Sequence, residues 1–217
     1  MLLSVAPDLI IVASSTRRGG LQAVEDLGMR VLKVKIDNID DMFEALRQIG
    51  DAAGRRQRAD AALAAMQSEL GKIASSWDDR AAVRPPRVFV ELWDDPLTTA
   101  GRGSFLDDVI SWAGGVNVAH ELAQTHIRIS PEKVIAWNPD VLVIAHMGRS
   151  ASSPADIGER IGWSDINAVK QGKVVCDIPA DLLLRPGPRL IEGVKILAER
   201  LHREAPGRDQ TASKGGR

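Results

Sequence analysis

This 217-residue chain contains no tyrosine, and aromatic residues make up only 4% of it. Its single cysteine, Cys176, excludes an intrachain disulfide and a cysteine-based zinc cluster, while leaving the compartment open. A formal net charge of −1 offers no basic excess of the kind that nucleic-acid or polybasic membrane binding requires. No stretch approaches the ~20 apolar residues that cross a bilayer. The opening MLLSVAPDLIIVAS lacks a basic leader region and is interrupted by Asp8, so it makes a poor signal peptide, and no export signal is expected within this sequence.

The usual catalytic patterns are also missing. There is no P-loop, no Gly-x-Gly-x-x-Gly opening a helix and no Gly-x-Ser-x-Gly elbow, and Gly101-Arg102-Gly103 lacks the third glycine of a phosphate loop. The four histidines, His120, His126, His146 and His202, have no partner four residues away, which excludes a helical zinc pair. His202, near a helix end, suits a favourable dipole contact. His120 and His126 share one loop and read either as solvated side chains or as groups facing a cleft. Cys176, within an apolar strand, reads as a small buried residue rather than a nucleophile. Nothing assembles a nucleophile, a base and an orienting group, so the chain is not expected to be an enzyme.

What is present is periodic. Apolar residues at 44% and charged residues at 26% suit a globular protein able to bury a sizeable core. Between Arg55 and Trp77, Leu63, Met66, Leu70 and Ile73 recur at helical spacing. Alanine is frequent there and proline absent, and a helix of about 20 residues spans roughly 30 Å. Before this helix, PDLIIVAS and Val31–Ile36 read as strands, with helices over Leu21–Leu27 and Asp40–Ile49. Residues 14–20 read as a loop, and Gly50 and Gly54 as the break before the long helix.

After the long helix come a polar junction over 78–86, a strand at Arg87–Leu92 and a loop from Trp93 to Gly103. Ser104 caps a helix to Ala113 with Asp107 at its third position, and Ser130-Pro131 opens another. Apolar strands follow at Asp140–Ala145 and Lys173–Asp177, with a closing helix over Pro188–His202. The order of elements predicts an α/β protein of two parallel-sheet, Rossmann-like lobes joined by a long backbone helix. The expected division is 1–53 for the remainder of an N-terminal lobe, 54–78 for the backbone helix, 79–203 for the C-terminal lobe and 204–217 for a disordered tail. A plan of Pro-Asp followed by four apolar residues occurs twice, at Pro7-Asp8 and at Pro139-Asp140.

Several stretches carry a resemblance: Thr99-Ala100-Gly101-Arg102-Gly103-Ser104-Phe105-Leu106-Asp107-Asp108, Ala113-Gly114-Gly115-Val116-Asn117-Val118, Ser130-Pro131-Glu132-Lys133-Val134, Asn138-Pro139-Asp140-Val141 and Arg185-Pro186-Gly187-Pro188-Arg189. In order and spacing they resemble the ABC-importer solute-binding proteins for cobalamin, haem and ferric siderophores, and are most similar to the cobalamin branch. The resemblance implies a monomeric, extracytoplasmic protein that has no resident cofactor, binds a metal chelate between two lobes and delivers it to a permease and ATPase complex. It also implies a ligand site of Trp93, Thr98, His126, Asp181 and Arg185, with Glu132 offered to permease arginines. His126 stands where that branch would place an aromatic, which shifts weight toward haem or a siderophore and makes His126 a candidate ligand to cobalt or iron.

Each assignment has a plainer counterpart. Trp93 fits a core position as well as a pocket position, Asp181 and Arg185 can simply pair with each other, and Glu132 can serve its own helix N-terminus. The resemblance further implies two β/α units ahead of Leu2, so the N-terminal lobe is expected to be incomplete. A cytoplasmic two-lobe α/β enzyme or metallocentre-handling protein is the reading from a different class.

Overall fold

The computed structural model describes residues 5–14, 18–78, 84–146 and 153–203. Residues 15–17, 79–83 and 204–217, read above as parts of a loop, of a polar junction and as a tail, lie outside the described residues. The first block contains β1 (Ile10–Ala13), α1 (Arg18–Asp26), β2 (Val31–Val34) and α2 (Ile39–Ala52), with β1 and β2 paired in parallel. Helix α1 begins at Arg18, earlier than the expected Leu21. Two glycines are tolerated in a first turn, where the N–H groups make no intrahelical bond in any case.

Helix α3 (Arg56–Asp78) is the long helix foreseen from the apolar stripe. Leu63, Met66 and Leu70 are buried and Ile73 packs beside them. Gly50 does not end α2, which runs through it to Ala52. Its role is close approach: a Cβ there would lie 2.3 Å from the Ala59 Cβ, so only glycine lets α2 and α3 pack this tightly. Gly54, at φ +66, makes the turn between the two helices.

The second block contains β3 (Arg87–Glu91), β4 (Trp93–Asp94), β5 (Leu97–Thr99), α4 (Phe105–Trp112), β6 (Val116–Asn117), a 3-10 turn at Val118–Glu121 and β7 (Ile127–Arg128). It continues through α5 (Pro131–Trp137), β8 (Val141–Ile144), α6 (Pro154–Gly158), a 3-10 turn at Trp163–Asp165, α7 (Asn167–Lys170), β9 (Val174–Val175), α8 (Ala180–Leu184) and α9 (Leu190–His202). Strands β6, β3, β8 and β9 form a parallel sheet in that order.

The central strands β3 and β8 read as continuous apolar runs because helices cover both faces of the sheet. Val88, Val90, Val141 and Val143 face one core, shared with α2, α3, α4 and α9. Phe89, Leu142 and Ile144 alternate to the other face, against Val134, Trp137 and Trp163. The core that includes α2 and α3 is therefore continuous with that of the four-stranded sheet. At its end, Trp77 stacks on His202 at 4.0 Å, and His202 Nε2 faces the Ala113 carbonyl at 3.1 Å. His202 thus meets the end of α4, a neighbouring helix, as well as closing its own.

The region read as the Trp93–Gly103 loop is more ordered than expected. Strands β4, β5 and β7 form a small antiparallel sheet, with Trp93 opposite Thr98 and Thr98 opposite Arg128. Thr99 buries its hydroxyl by donating to the Val90 carbonyl at 2.7 Å, which anchors this sheet to the main one. Pairing across a local hairpin, and then with the distant β7, made strands of residues whose local composition signals a turn.

Candidate ligand-binding cleft

A cleft of about 520 Å³ opens between the two blocks. One side is made by Ile36 and Asp37, in the turn from β2 to α2. Leu92 and Trp93, just beyond β3, meet Phe105 and Leu106 at the start of α4. Thr125 and His126 approach from the segment before β7, and Leu184 and Pro186 from the end of α8. The lining is mainly apolar, with a few polar groups set into it.

Local chemistry explains how these groups are presented. Ser104 Oγ accepts from Asp107 N at 3.2 Å and donates to the Gly101 carbonyl at 2.7 Å, so the cap aims Phe105 and Leu106 into the cleft. Gly101 is required by packing: a Cβ would lie 2.2 Å from the Leu122 carbonyl oxygen. Arg102 N donates to that same carbonyl at 2.8 Å, and Gly101 N to the Gln124 carbonyl at 3.0 Å. Those two bonds hold the strand-to-helix loop against the segment that carries Thr125 and His126. The Asp107 carboxylate accepts from Asn117 Nδ2 at 3.0 Å and faces His120 Nδ1 at 2.9 Å. His120 is thus engaged beside α4, whereas His126 lines the cleft.

The structure brings Trp93 and His126 to one cleft. Trp93 is 39% exposed and donates its indole N–H to the Asp95 carbonyl at 2.8 Å, which holds the ring on the turn from β4 to β5. Thr98 is not in the lining; its hydroxyl donates to the Pro96 carbonyl at 2.7 Å in that same turn. Asp181 and Arg185 form an exposed pair at 2.9 Å, on the helix whose end contributes Leu184 and Pro186. Glu132 is exposed in the first turn of α5, where the Ser130 hydroxyl holds its carboxyl below the usual range.

Several of these residues escaped the sequence reading. Ile36, Asp37, Phe105, Leu106, Thr125, Leu184 and Pro186 line the cleft. Phe105 and Leu106 had a readable signal, since they follow a capping serine at a strand-to-helix loop. The others depend on which distant segments the fold brings together.

A second group also went unread. Glu91, the last residue of β3, is fully buried and accepts two bonds from the Arg160 guanidinium, one from Nη1 to Oε2 and one from Nη2 to Oε1 at 2.8 Å. His146 Nε2 lies 2.9 Å from Glu91 Oε1, and its ring centroid is 6.4 Å from that of Trp93. A bidentate ion pair with a buried carboxylate and a half-buried guanidinium therefore lies behind Trp93, with His146 between. Cys176, half-buried nearby, has its thiol pushed up to about 11, chiefly by burial and then by Asp177. It is a thiol at neutral pH.

A largely apolar cavity with a few polar groups, formed where two α/β blocks meet beyond the ends of parallel strands, is the form of a small-molecule binding protein. Residues 1–181 match the family model described as periplasmic binding protein, and the chain belongs to that family. It is 31% identical over 207 residues to an ABC transporter substrate-binding lipoprotein of Bacillus subtilis, which covers 93% of this chain and 64% of the relative. It is 26% identical over 206 residues to a cobalamin-binding protein of Halobacterium salinarum, covering 93% of this chain and 55% of that one. The chain thus spans a little over half of these relatives' length. Among solved structures, one from Staphylococcus epidermidis, described as a possible iron-binding, periplasmic solute-binding protein, superposes with a TM-score of 0.81 at 29% identity. That match covers 93% of this chain and 79% of the other. The family is one of solute-binding proteins rather than enzymes.

Proposed function

We propose that this chain is a solute-binding component of an ABC importer, or a part of one, that takes cobalamin or a related metal chelate into the cleft for delivery to a permease and ATPase complex. The observation that carries this reading is the joint placement of Trp93 and His126 in one largely apolar cleft. Trp93 supplies a broad apolar face to a macrocycle. His126 offers an imidazole nitrogen to a cobalt or iron centre. Asp181 and Arg185, beside Leu184 and Pro186 at the edge of the cleft, hydrogen-bond the polar periphery of the ligand by opening their mutual ion pair, which at this exposure holds them weakly. Thr98 supports Trp93 from the opposite strand. Glu132, exposed at a helix start, meets permease arginines in charge-assisted pairs. The relatives' names support an extracytoplasmic location.

Haem, or a ferric siderophore, is the second reading, and His126 in the cleft favours it, because an imidazole suits an iron with an open axial position.

The test is tryptophan fluorescence on titration with cyanocobalamin, haemin and a ferric hydroxamate in parallel. The expected result is saturable one-to-one quenching by cyanocobalamin, weakened about tenfold or more in Trp93→Ala. Preference for haemin, with loss of its Soret shift in His126→Ala, selects the second reading. Failure of all three ligands to bind overturns the chelate assignment.

A further inference from the structure

The first N–H groups of a helix have no acceptor within the helix and must find one elsewhere. In α2, Asn38 Oδ1 accepts from Asp41 N at 2.8 Å, which is an ordinary local cap. The N–H of Ile39 goes elsewhere: it donates to Asp108 Oδ2 at 2.9 Å, 69 residues further along the chain, in the first turn of α4. One helix is therefore capped by a carboxylate from the block across the cleft.

The placement of this bond matters more than its existence. Ile36 and Asp37, just ahead of the Asn38 cap of α2, line one side of the cleft, and Phe105 and Leu106, which open α4 one residue short of Asp108, line the facing side. The bond thus joins the roots of two opposing walls. Beneath it, Ile39, Met42, Leu106 and Val109 share one apolar core. Apolar packing holds the walls together but is non-directional, whereas a hydrogen bond of 2.9 Å has a defined length and angle. The carboxylate is held there at some electrostatic cost. Burial pushes the Asp108 carboxyl up, with Asp107 and Asp40 adding to the rise, and only the Ile39 N–H pulls it back.

We propose that Asp108 is a positioning residue for the cleft, setting the separation of its two walls, and hence which ligand thickness fits, by capping α2 from the opposite block. The effect on ligand rests on the metal-chelate reading above; the effect on wall separation does not.

The test uses Asp108→Ala, which removes the acceptor, and Asp108→Asn, which keeps an oxygen acceptor without the charge. Spin labels at Glu44→Cys on α2 and Arg102→Cys ahead of α4, in a Cys176→Ser background, read the separation of the blocks without ligand. Cyanocobalamin and haemin titrations read its consequence. Asp108→Ala is expected to broaden the label-distance distribution and to weaken binding of whichever chelate the parent binds by about tenfold, through faster dissociation. Asp108→Asn is expected to restore the parental distance and to bind within about threefold of the parent. Should Asp108→Ala not fold, Asp108→Ser, too short to reach Ile39, takes its place.

Unchanged distances and affinity with only a lower melting temperature would reduce Asp108 to a stabilising cap and overturn the proposal. Equal losses in the alanine and asparagine variants would also overturn it. If the parent binds neither chelate, the ligand reading fails, and the label distances alone decide the role of Asp108.

Discussion

The two parallel sheets among the described residues are built from similar residues and end in different states. In the four-stranded sheet, Val88, Phe89, Val141 and Leu142 are all fully buried. In the two-stranded sheet, β1 alternates half-buried and exposed positions, and Ile11 is 45% exposed. Both β1 and β8 follow a Pro-Asp step, and Asp140 is enlisted by its surroundings, accepting from Arg87 N at 2.9 Å and from Arg84 Nη2 at 2.8 Å. An apolar strand is buried by the layers around it and not by its own composition. The two-strand block is held chiefly through α2 and α3, whose buried residues belong to the larger core.

The contrast can be broken experimentally, and the largest expected effect is in the central sheet. Phe89→Ala should cost about 3–5 kcal/mol in urea unfolding, while Ile11→Ala should cost less than about 1 kcal/mol. Similar losses at both sites would mean that β1 is covered as β3 is. Glu91→Ala should be of comparable size to the first, about 3–5 kcal/mol, because it leaves the Arg160 guanidinium half-buried without its carboxylate. Asp181→Ala, which breaks only an exposed pair, should leave the unfolding midpoint unchanged within error.

Hydrogen exchange sharpens the comparison within a single protein. Amides of β3 and β8 should exchange only through global unfolding, and those of β1 and β2 through cheaper local opening. Uniform protection would show that the two blocks open as one.

The smallest expected effect is a pH dependence. Asp108 has its carboxyl raised above the ordinary 3.8, mainly by burial, so the folded chain holds its proton more tightly than the unfolded chain does. Its contribution is therefore unfavourable above the folded pKa and is relieved as the pH falls through the window between that pKa and 3.8. Asp108→Asn should flatten this part of the stability profile, and an unchanged slope would assign it to other carboxylates.

Much of this architecture was legible in the chain. Leu63, Met66, Leu70 and Ile73 announced α3, Ser104 announced the start of α4, and the apolar runs announced β3 and β8, because each signal lies within a few residues of what it specifies. The β4–β5–β7 sheet was not legible, since Trp93 and Thr98 pair across a turn-like segment and Thr98 in turn pairs with Arg128, 30 residues further on. The Glu91, His146 and Arg160 cluster, drawn from three segments, left no local pattern at all.

The sequence by itself determined the helices, the buried strands and a resemblance specific enough to name a family, because periodicity, capping and motif order are properties of neighbouring residues. Only the tertiary structure decided which side chains share the cleft and which pair with each other instead. It brought His126 and Trp93 to one cleft and gave Asp108 to the helix across it. Such contacts join residues that are far apart in the chain, and they exist only once packing has brought those segments together.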